Sequence, residues 1–412
     1  MSKTPAEHVQ LRTQCRICSQ AAPQRYLSLP PLPLTDAFLR GGQRGAEFLY
    51  PIDIYRCPAC GVSQTLHDVD MRAYYREYAY TTSASAFTRQ FMHELADAAW
   101  RQFGLRPGDA VLEVGSGDGA QLDCFARRGA RVFGFEPSAP LVAESRRRGV
   151  PVAARLFDTG AEDDIPRDLL PVQLVLLCYT FDHLPEPMDF LAAVRRILDP
   201  RRGVLLIEVH DLARIVERRE FCLFEHEHTI YCCAATLQGL LARAGLDVIE
   251  VGLLPEHGRR ANSLVIGATP RGSELAARAL PPLAPGPLTN PAACTAFGTA
   301  VRASIAKFQG WVRAQRAAGR RLAGYGAGGR GVMTLAACAR PGDFEYLCDQ
   351  NPSFHGLYTP ASHVPVVPPE HALWHPVDDL VVFSFGYMDE IRRTLAALES
   401  RGGRLVSLLE LL

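Results

Sequence analysis

Residues whose type and spacing can do chemistry fall into a few short stretches. Cys15-Arg-Ile-Cys18 and Cys57-Pro-Ala-Cys60 are two Cys-x-x-Cys knuckles, and Gly61 follows the second, where a tight turn lets backbone amides face thiolates. Four thiolates fill a tetrahedral zinc shell and leave no position for water, so the pattern predicts a structural zinc ion rather than a catalytic one. Four free thiols are the plain alternative. A redox pair fits less well, because neither pair opens a helix after a strand. The interval between the knuckles is longer than in a compact ribbon, so the loop PPLPLTDAFL must pack elsewhere.

VLEVGSGDG, residues 111–119, is a strand pattern ending in Gly115, Gly117 and Gly119, followed by the helical run AQLDCFARRG. Glycines there let the backbone approach a ligand closely. A glycine-rich loop alone also suits dinucleotides. Three acids narrow the choice: Glu113 just before the glycines, Asp118 inside the loop, and Glu136, next to Pro137, at the end of the following strand. A carboxylate at that strand end can accept both ribose hydroxyls. Glu113 and Asp118 would repel a pyrophosphate but suit an ammonium and a sulfonium, which predicts S-adenosylmethionine rather than NAD. Further on, VQLVLLCYT ends a buried strand at Cys178 and Tyr179, whose loop is expected to cover the adenosyl group and open toward an acceptor.

These groups need elements to position them. A chain of 412 residues is too long for one ordinary core, and three domains are expected: 1–75, 76–280 and 281–412. The first is rich in Cys, Pro and turn formers. Residues 78–104 then become amphipathic at helical spacing. From 111 to 264, short β-rich runs alternate with helical stretches, the sequence form of a parallel sheet wrapped by helices. The Pro-rich linker PPLAPGPLTNPAAC interrupts this pattern, one long helix follows, and RLAGYG, EYLCD and LVVFSFG repeat the β–α alternation in a second, smaller α/β unit. Lys+Arg and Asp+Glu both number 44, so no global basic field favours nucleic acid or an anionic membrane. No signal-like or spanning apolar run is present, which points to a cytoplasmic protein. Of the twelve cysteines, Cys222, Cys232, Cys233, Cys294 and Cys338 read as buried reduced thiols.

YRCPACGVSQTLHDVD, YAYTTSASAF, the glycine loop, FEHEHTIYCCAATL, PEHG at 255 and CDQNPSFHGLYTPASHVPVVPP together resemble the three-domain sugar C-methyltransferases. Such enzymes act on nucleotide-linked 4-keto-deoxysugars. The likeness covers nearly the whole chain. It implies a zinc-binding N-terminal domain, a class I methyltransferase core and a Rossmann-like C-terminal domain that holds the acceptor with the core. By position it implies His228 as base, with Glu227 orienting it, and a tyrosine near the reacting centre at Tyr80 or Tyr78. It also places His183 after the fourth strand. Glu225 stands where relatives usually carry a tyrosine, and Phe385-Gly386-Tyr387 where they often show Trp-Asn-His, so both departures touch the acceptor side. Glu225, His257, Gly326, Arg330 and Tyr358 are the expected acceptor contacts. Monomer or homodimer is the expected assembly.

Blander readings stand beside these. His226 and His228, spaced i, i+2, would face one way on a strand and hold a metal with the neighbouring glutamates, or serve the fold alone. Tyr78 and Tyr80 open a helical pattern, where aromatics are most often core. His183 suits a supporting hydrogen-bonding role as well as a direct one, and His257 a surface turn. GYGAGGRG with Asp349 about twenty residues on has the form of an NAD fingerprint. The resemblance instead implies docking of the acceptor's nucleotide, and a glycine-rich helix start with Arg330 suits a pyrophosphate.

Overall fold

The apolar runs read as strands are buried along their length. In the computed structural model, which describes residues 9–412 except 21, 44, 46, 77–82, 84, 85 and 261, the described residues build four sheets, one of them the small pair of Val9–Leu11 with His67–Val69. The N-terminal part contributes β1 (Val9–Leu11), β2 (Gln24–Leu32), β3 (Tyr50–Arg56), β4 (Ser63–Thr65) and β5 (His67–Val69). The centre contributes β6 (Ala110–Val114), β7 (Arg131–Phe135), β8 (Val152–Ala153), β9 (Leu174–Cys178), β10 (Val204–His210), β11 (Ile230–Tyr231), β12 (Leu246–Val251) and β13 (Ser263–Pro270). The C-terminal part holds β14 (Leu322–Tyr325), β15 (Leu347–Cys348), β16 (Val366–Val367), β17 (Asp379–Val382) and β18 (Arg404–Ser407).

The central sheet has the order β12-β13-β10-β9-β6-β7-β8. Within it β13 alone runs against its neighbours. Residues of β6 are buried on both faces, as a strand covered by helices must be. The order reverses between β6 and β9, so the carboxyl ends of these two strands open a crevice where a ligand sits in such folds. The expected amphipathic helix at 78–104 is found as Ala86–Gln102. The long helix after the linker is Pro291–Ala317, started by Asn290 accepting the Ala293 N–H at 3.0 Å, with Pro291 in its first turn. The C-terminal sheet, β16-β15-β14-β17-β18, is parallel throughout.

Packing crosses the sequence's apparent divisions. β11, which follows directly on Glu225-His226-Glu227-His228, leaves the central sheet and pairs with β4 in an N-terminal sheet of order β11-β4-β3-β2. One core joins Leu27 and Ile54 of that sheet, Phe221 and Phe224 before the histidines, and Phe297 and Val381 of the C-terminal part. The loop between the knuckles extends β2 through Pro30 and Pro31, then brings Thr35 against Glu227 and Leu39 against Tyr358. Among the described residues no helix is long and apolar enough to cross a membrane.

Candidate active site

The four knuckle cysteines converge. Sγ of Cys15 lies 3.6 Å from that of Cys60, Sγ of Cys18 lies 3.6 Å from that of Cys57, and all four are within 4.8 Å of one another. Zinc–sulfur bonds of about 2.3 Å in a tetrahedron put sulfurs about 3.8 Å apart, so the cluster fits a zinc ion held by four thiolates. Gly61 takes φ 77°, its N–H reaching the Cys57 carbonyl at 2.9 Å, and Ser19 plays the same part at φ 56° in the first knuckle. Cys222, Cys232, Cys233, Cys294 and Cys338 are buried, as expected.

A single cavity of about 1380 Å³ runs from the carboxyl edge of the central sheet to the C-terminal domain. At one end lie Glu113, Gly115, Gly117, Asp118, Glu136 and Pro137, with Cys178 and Tyr179 across from them. Gly115 has φ 72°, and a Cβ there would meet Thr180, so only glycine fits the turn. Oε2 of Glu113 is buried with no hydrogen-bond partner among the described residues. Burial, with Asp118 adding to it, pushes this carboxyl up to about 8. An orphaned acid aimed into a cavity is a fitting partner for the ammonium of S-adenosylmethionine. Glu136 accepts the N–H of Gly117 at 2.9 Å and that of Ser138 at 2.8 Å, which fixes its carboxylate at the loop where ribose hydroxyls would lie. Asp118 lines the cavity as expected. Its carboxylate is also engaged by Arg148 at 3.1 Å and by Ser83, so it braces the loop as well.

Next along the cavity stand three imidazoles. Nδ1 of His183 meets the Tyr75 hydroxyl at 2.9 Å, and its ring centroid is 4.8 Å from that of His228. Burial holds His183 neutral, down at about 3. His228 donates from Nδ1 to the Leu223 carbonyl at 3.1 Å, which leaves Nε2 as an acceptor, 3.8 Å from Oε2 of Glu225. Burial, with Glu227 adding to it, raises the Glu225 carboxyl well above its ordinary range. His210, at the end of β10, lies 3.3 Å from Oδ2 of Asp182.

Two expectations about this run are corrected. Glu227 does not orient His228: its Oε1 accepts the Thr35 N–H at 2.9 Å and the Thr35 hydroxyl at 2.8 Å. His226 and His228 do not face one way, because the segment is a turn between Phe224 and β11 rather than a strand. His226 instead meets Nε2 of His67 at 3.0 Å and the Leu32 carbonyl at 3.0 Å, a structural tie to the N-terminal sheet. Tyr78 and Tyr80 lie outside the described residues. His257 falls in the short turn Glu256–Gly258, of which only the backbone is described at that position.

At the far end the cavity is lined by Gly326, Gly329, Arg330, Ser384 and Tyr387. Gly326 has φ 104°. Arg330 donates from Nε to Glu220 at 2.8 Å, and its Nη2 is buried with no partner among the described residues. Asp349 accepts the Ala327 N–H at 2.7 Å and thereby closes the glycine turn. Tyr358 is corrected as an acceptor contact: it pairs with Leu39 and Pro365 at the seam with the N-terminal domain and does not line the cavity.

Sequence reasoning missed Asp182, His210, Arg260, Tyr75 and Thr35. His210 carried a usable signal, since it ends a strand of the same parallel set as β6 and β9. Arg260, bound to Glu208 with its guanidinium 4.5 Å from the Tyr179 ring centroid, carried none.

A doubly wound sheet with one reversed strand, a glycine turn behind a buried acid and a long acceptor-sized cavity define an S-adenosylmethionine-dependent methyltransferase. Three family models match successive parts of the chain: a zinc binding domain over 15–75, a methyltransferase domain over 84–251 and a C-methyltransferase C-terminal domain over 286–409. The chain is 27% identical over 400 residues to the C-methyltransferase NovU of Streptomyces niveus, covering 95% of this chain and 94% of that one. It is also 29% identical over 96 residues to the ubiquinone biosynthesis O-methyltransferase of Hahella chejuensis, 23% of this chain and 40% of that one. Among solved structures, the magnesium protoporphyrin IX methyltransferase of Synechocystis with bound SAM matches 49% of this chain and 98% of its own, at 14% identity and TM-score 0.36. The protein belongs to the three-domain C-methyltransferases, with a zinc-binding N-terminal domain, a methyltransferase core and the family's C-terminal domain.

Proposed function

We propose that this enzyme moves the methyl of S-adenosylmethionine to a carbon alpha to the ketone of a nucleotide-linked 4-keto-deoxysugar. The supporting observation is the continuity of one cavity from Glu113, past His228 and Glu225, to Arg330. Carbon becomes a nucleophile only when a neighbouring proton is removed and the enolate oxygen is stabilised. Nε2 of His228 suits the first task, and Glu225, whose carboxyl burial raises well above its ordinary range, suits the second when protonated, as a hydrogen-bond donor. Tyr75, bound to His183, brings a further phenol near the reacting centre, beside the role expected of Tyr80 or Tyr78. S-adenosylmethionine supplies an electrophilic methyl, and the chain's task is to align it and exclude water. Gly326 and Arg330 would receive the acceptor's pyrophosphate, with domains divided at about residues 75 and 280.

Mass spectrometry of reactions with thymidine- and GDP-linked 4-ketosugars tests this directly. A gain of one methyl that survives O-demethylation and is lost in His228→Ala is expected. A methyl removed by O-demethylation, or found on nitrogen, would replace carbon methylation with heteroatom transfer.

A further inference from the structure

Carbon methylation by a sulfonium replaces a C–H bond with C–CH3, converts the cofactor to its neutral thioether and releases one proton. In the reading above that proton first rests on His228. The His228 side chain is only 4% exposed, and its Nδ1 is tied to a carbonyl. A buried imidazolium must lose its proton before the next turnover. His210, which the reaction has not yet used, stands beside it with ring centroids 5.0 Å apart. The His210 side chain is 18% exposed on the cavity wall, while its partner Asp182 is 5% exposed. Polar atoms of Asp182, His210 and His228 all lie within 4.8 Å of one another. Burial opposes the charge on Asp182, yet His228 and the hydrogen bond from His210 bring its carboxyl below the ordinary range. An ionised carboxylate at Nδ1 requires the His210 proton there and leaves Nε2 as the acceptor. Tyr179 packs on the ring at 4.5 Å, and burial, with His228 and Arg330 adding to it against Asp182, lowers the His210 imidazole to about 4, so it holds a proton only in passing.

We propose that His210, oriented by Asp182, carries the acceptor's proton from His228 to water in the cavity and so resets the base. This rests on the carbon-methylation reading. An N–H bond breaks on His228 and one forms at Nε2 of His210. The Asp182 carboxylate matches the imidazolium, and the proton then leaves to water with no further reactant. Glu227 is not the partner of His210: its Oε1 takes the Thr35 N–H and hydroxyl, while Nδ1 of His210 meets Asp182.

The test separates the first turnover from those that follow. In His210→Gln and Asp182→Asn, methylation in a single turnover stays within about threefold of wild type. Steady-state turnover falls about 100-fold, and added imidazole restores it in His210→Ala. First-turnover and steady-state rates falling together, or no rescue in a variant that still binds S-adenosylmethionine, overturn the relay. A second divalent metal per chain that is lost in His210→Gln also overturns it, by making the imidazoles ligands. Nitrogen NMR of the substrate-free protein gives a readout independent of the acceptor. A His210 proton on Nε2 rejects the relay whatever the acceptor. A proton on Nδ1 that responds to Asp182→Asn, in a protein that methylates no ketosugar carbon, rejects the acceptor assignment and supports the pair.

Discussion

Two glycine turns in this molecule share a backbone plan and differ in charge. At 115–119, Glu136 from the neighbouring strand end accepts the N–H of Gly117 at 2.9 Å; at 326–331, Asp349 accepts that of Ala327 at 2.7 Å. Each acid also accepts an N–H two residues on, Ser138 at 2.8 Å and Asn351 at 2.8 Å. What faces the cavity is opposite. Glu113 brings an orphaned carboxyl to the first turn, and Arg330 brings a guanidinium with an unpartnered Nη2 to the second. The scaffold thus sets where a ligand can lie, and one side chain sets whether a cation or an anion is welcome there.

The largest break in that comparison comes from Arg330→Ala. It removes the nearer of the two cations on Glu220, a buried carboxylate that keeps Arg218 at 3.6 Å, and unfolding in urea is expected to register a loss of about 3 kcal/mol. Adding Glu220→Gln should recover part of it, whereas a fully additive double variant would mean that the pair is not coupled.

Next is Glu113→Gln, which should weaken S-adenosylmethionine about 10- to 100-fold by calorimetry and, by removing a carboxyl that burial raises, increase stability at neutral pH. The sign of its pH dependence follows from the raised carboxyl. Below about 8 the wild-type Glu113 is mostly neutral and must release a proton to pair with the ammonium, so the gap between wild type and variant widens as pH rises toward 8. A gap that narrows would place the ammonium elsewhere.

Removing zinc, by chelator or Cys57→Ala, should split the cavity's two functions. β4 belongs to the knuckle domain and pairs with β11 beside His228, while the glycine turn at 115–119 rests on the central sheet. Methyl transfer is expected to fall about tenfold or more with cofactor affinity changed less than about threefold. Equal losses would show that the knuckles support both ends.

The smallest effect separates the two strand-end acids. Glu136→Gln should cost about 1 kcal/mol of cofactor affinity, and Asp349→Asn none, as read by the same titration.

Much of this plan was legible in the chain. The knuckles, the glycine turn and the acids before and after it are local signals, because each depends on residues close in sequence. The strand-forming runs of the central sheet were legible for the same reason, as alternation and burial follow from apolar run length. Glu227 and Tyr358 were misread because their partners, Thr35 and Leu39, stand 192 and 319 residues away. Asp118 lines the cavity as expected, but charge alone did not reveal that Arg148 folds back onto it.

The sequence by itself determined the sulfur ligands, the cofactor turn and the succession of α/β units, all of which follow from short-range periodicity and spacing. Only the tertiary structure decided which imidazole meets which carboxylate. That depended on β11 leaving its own domain to pair with β4 and on β10 ending beside the turn that carries Asp182. Such contacts join segments far apart in the chain, and no local pattern encodes the packing that brings them together.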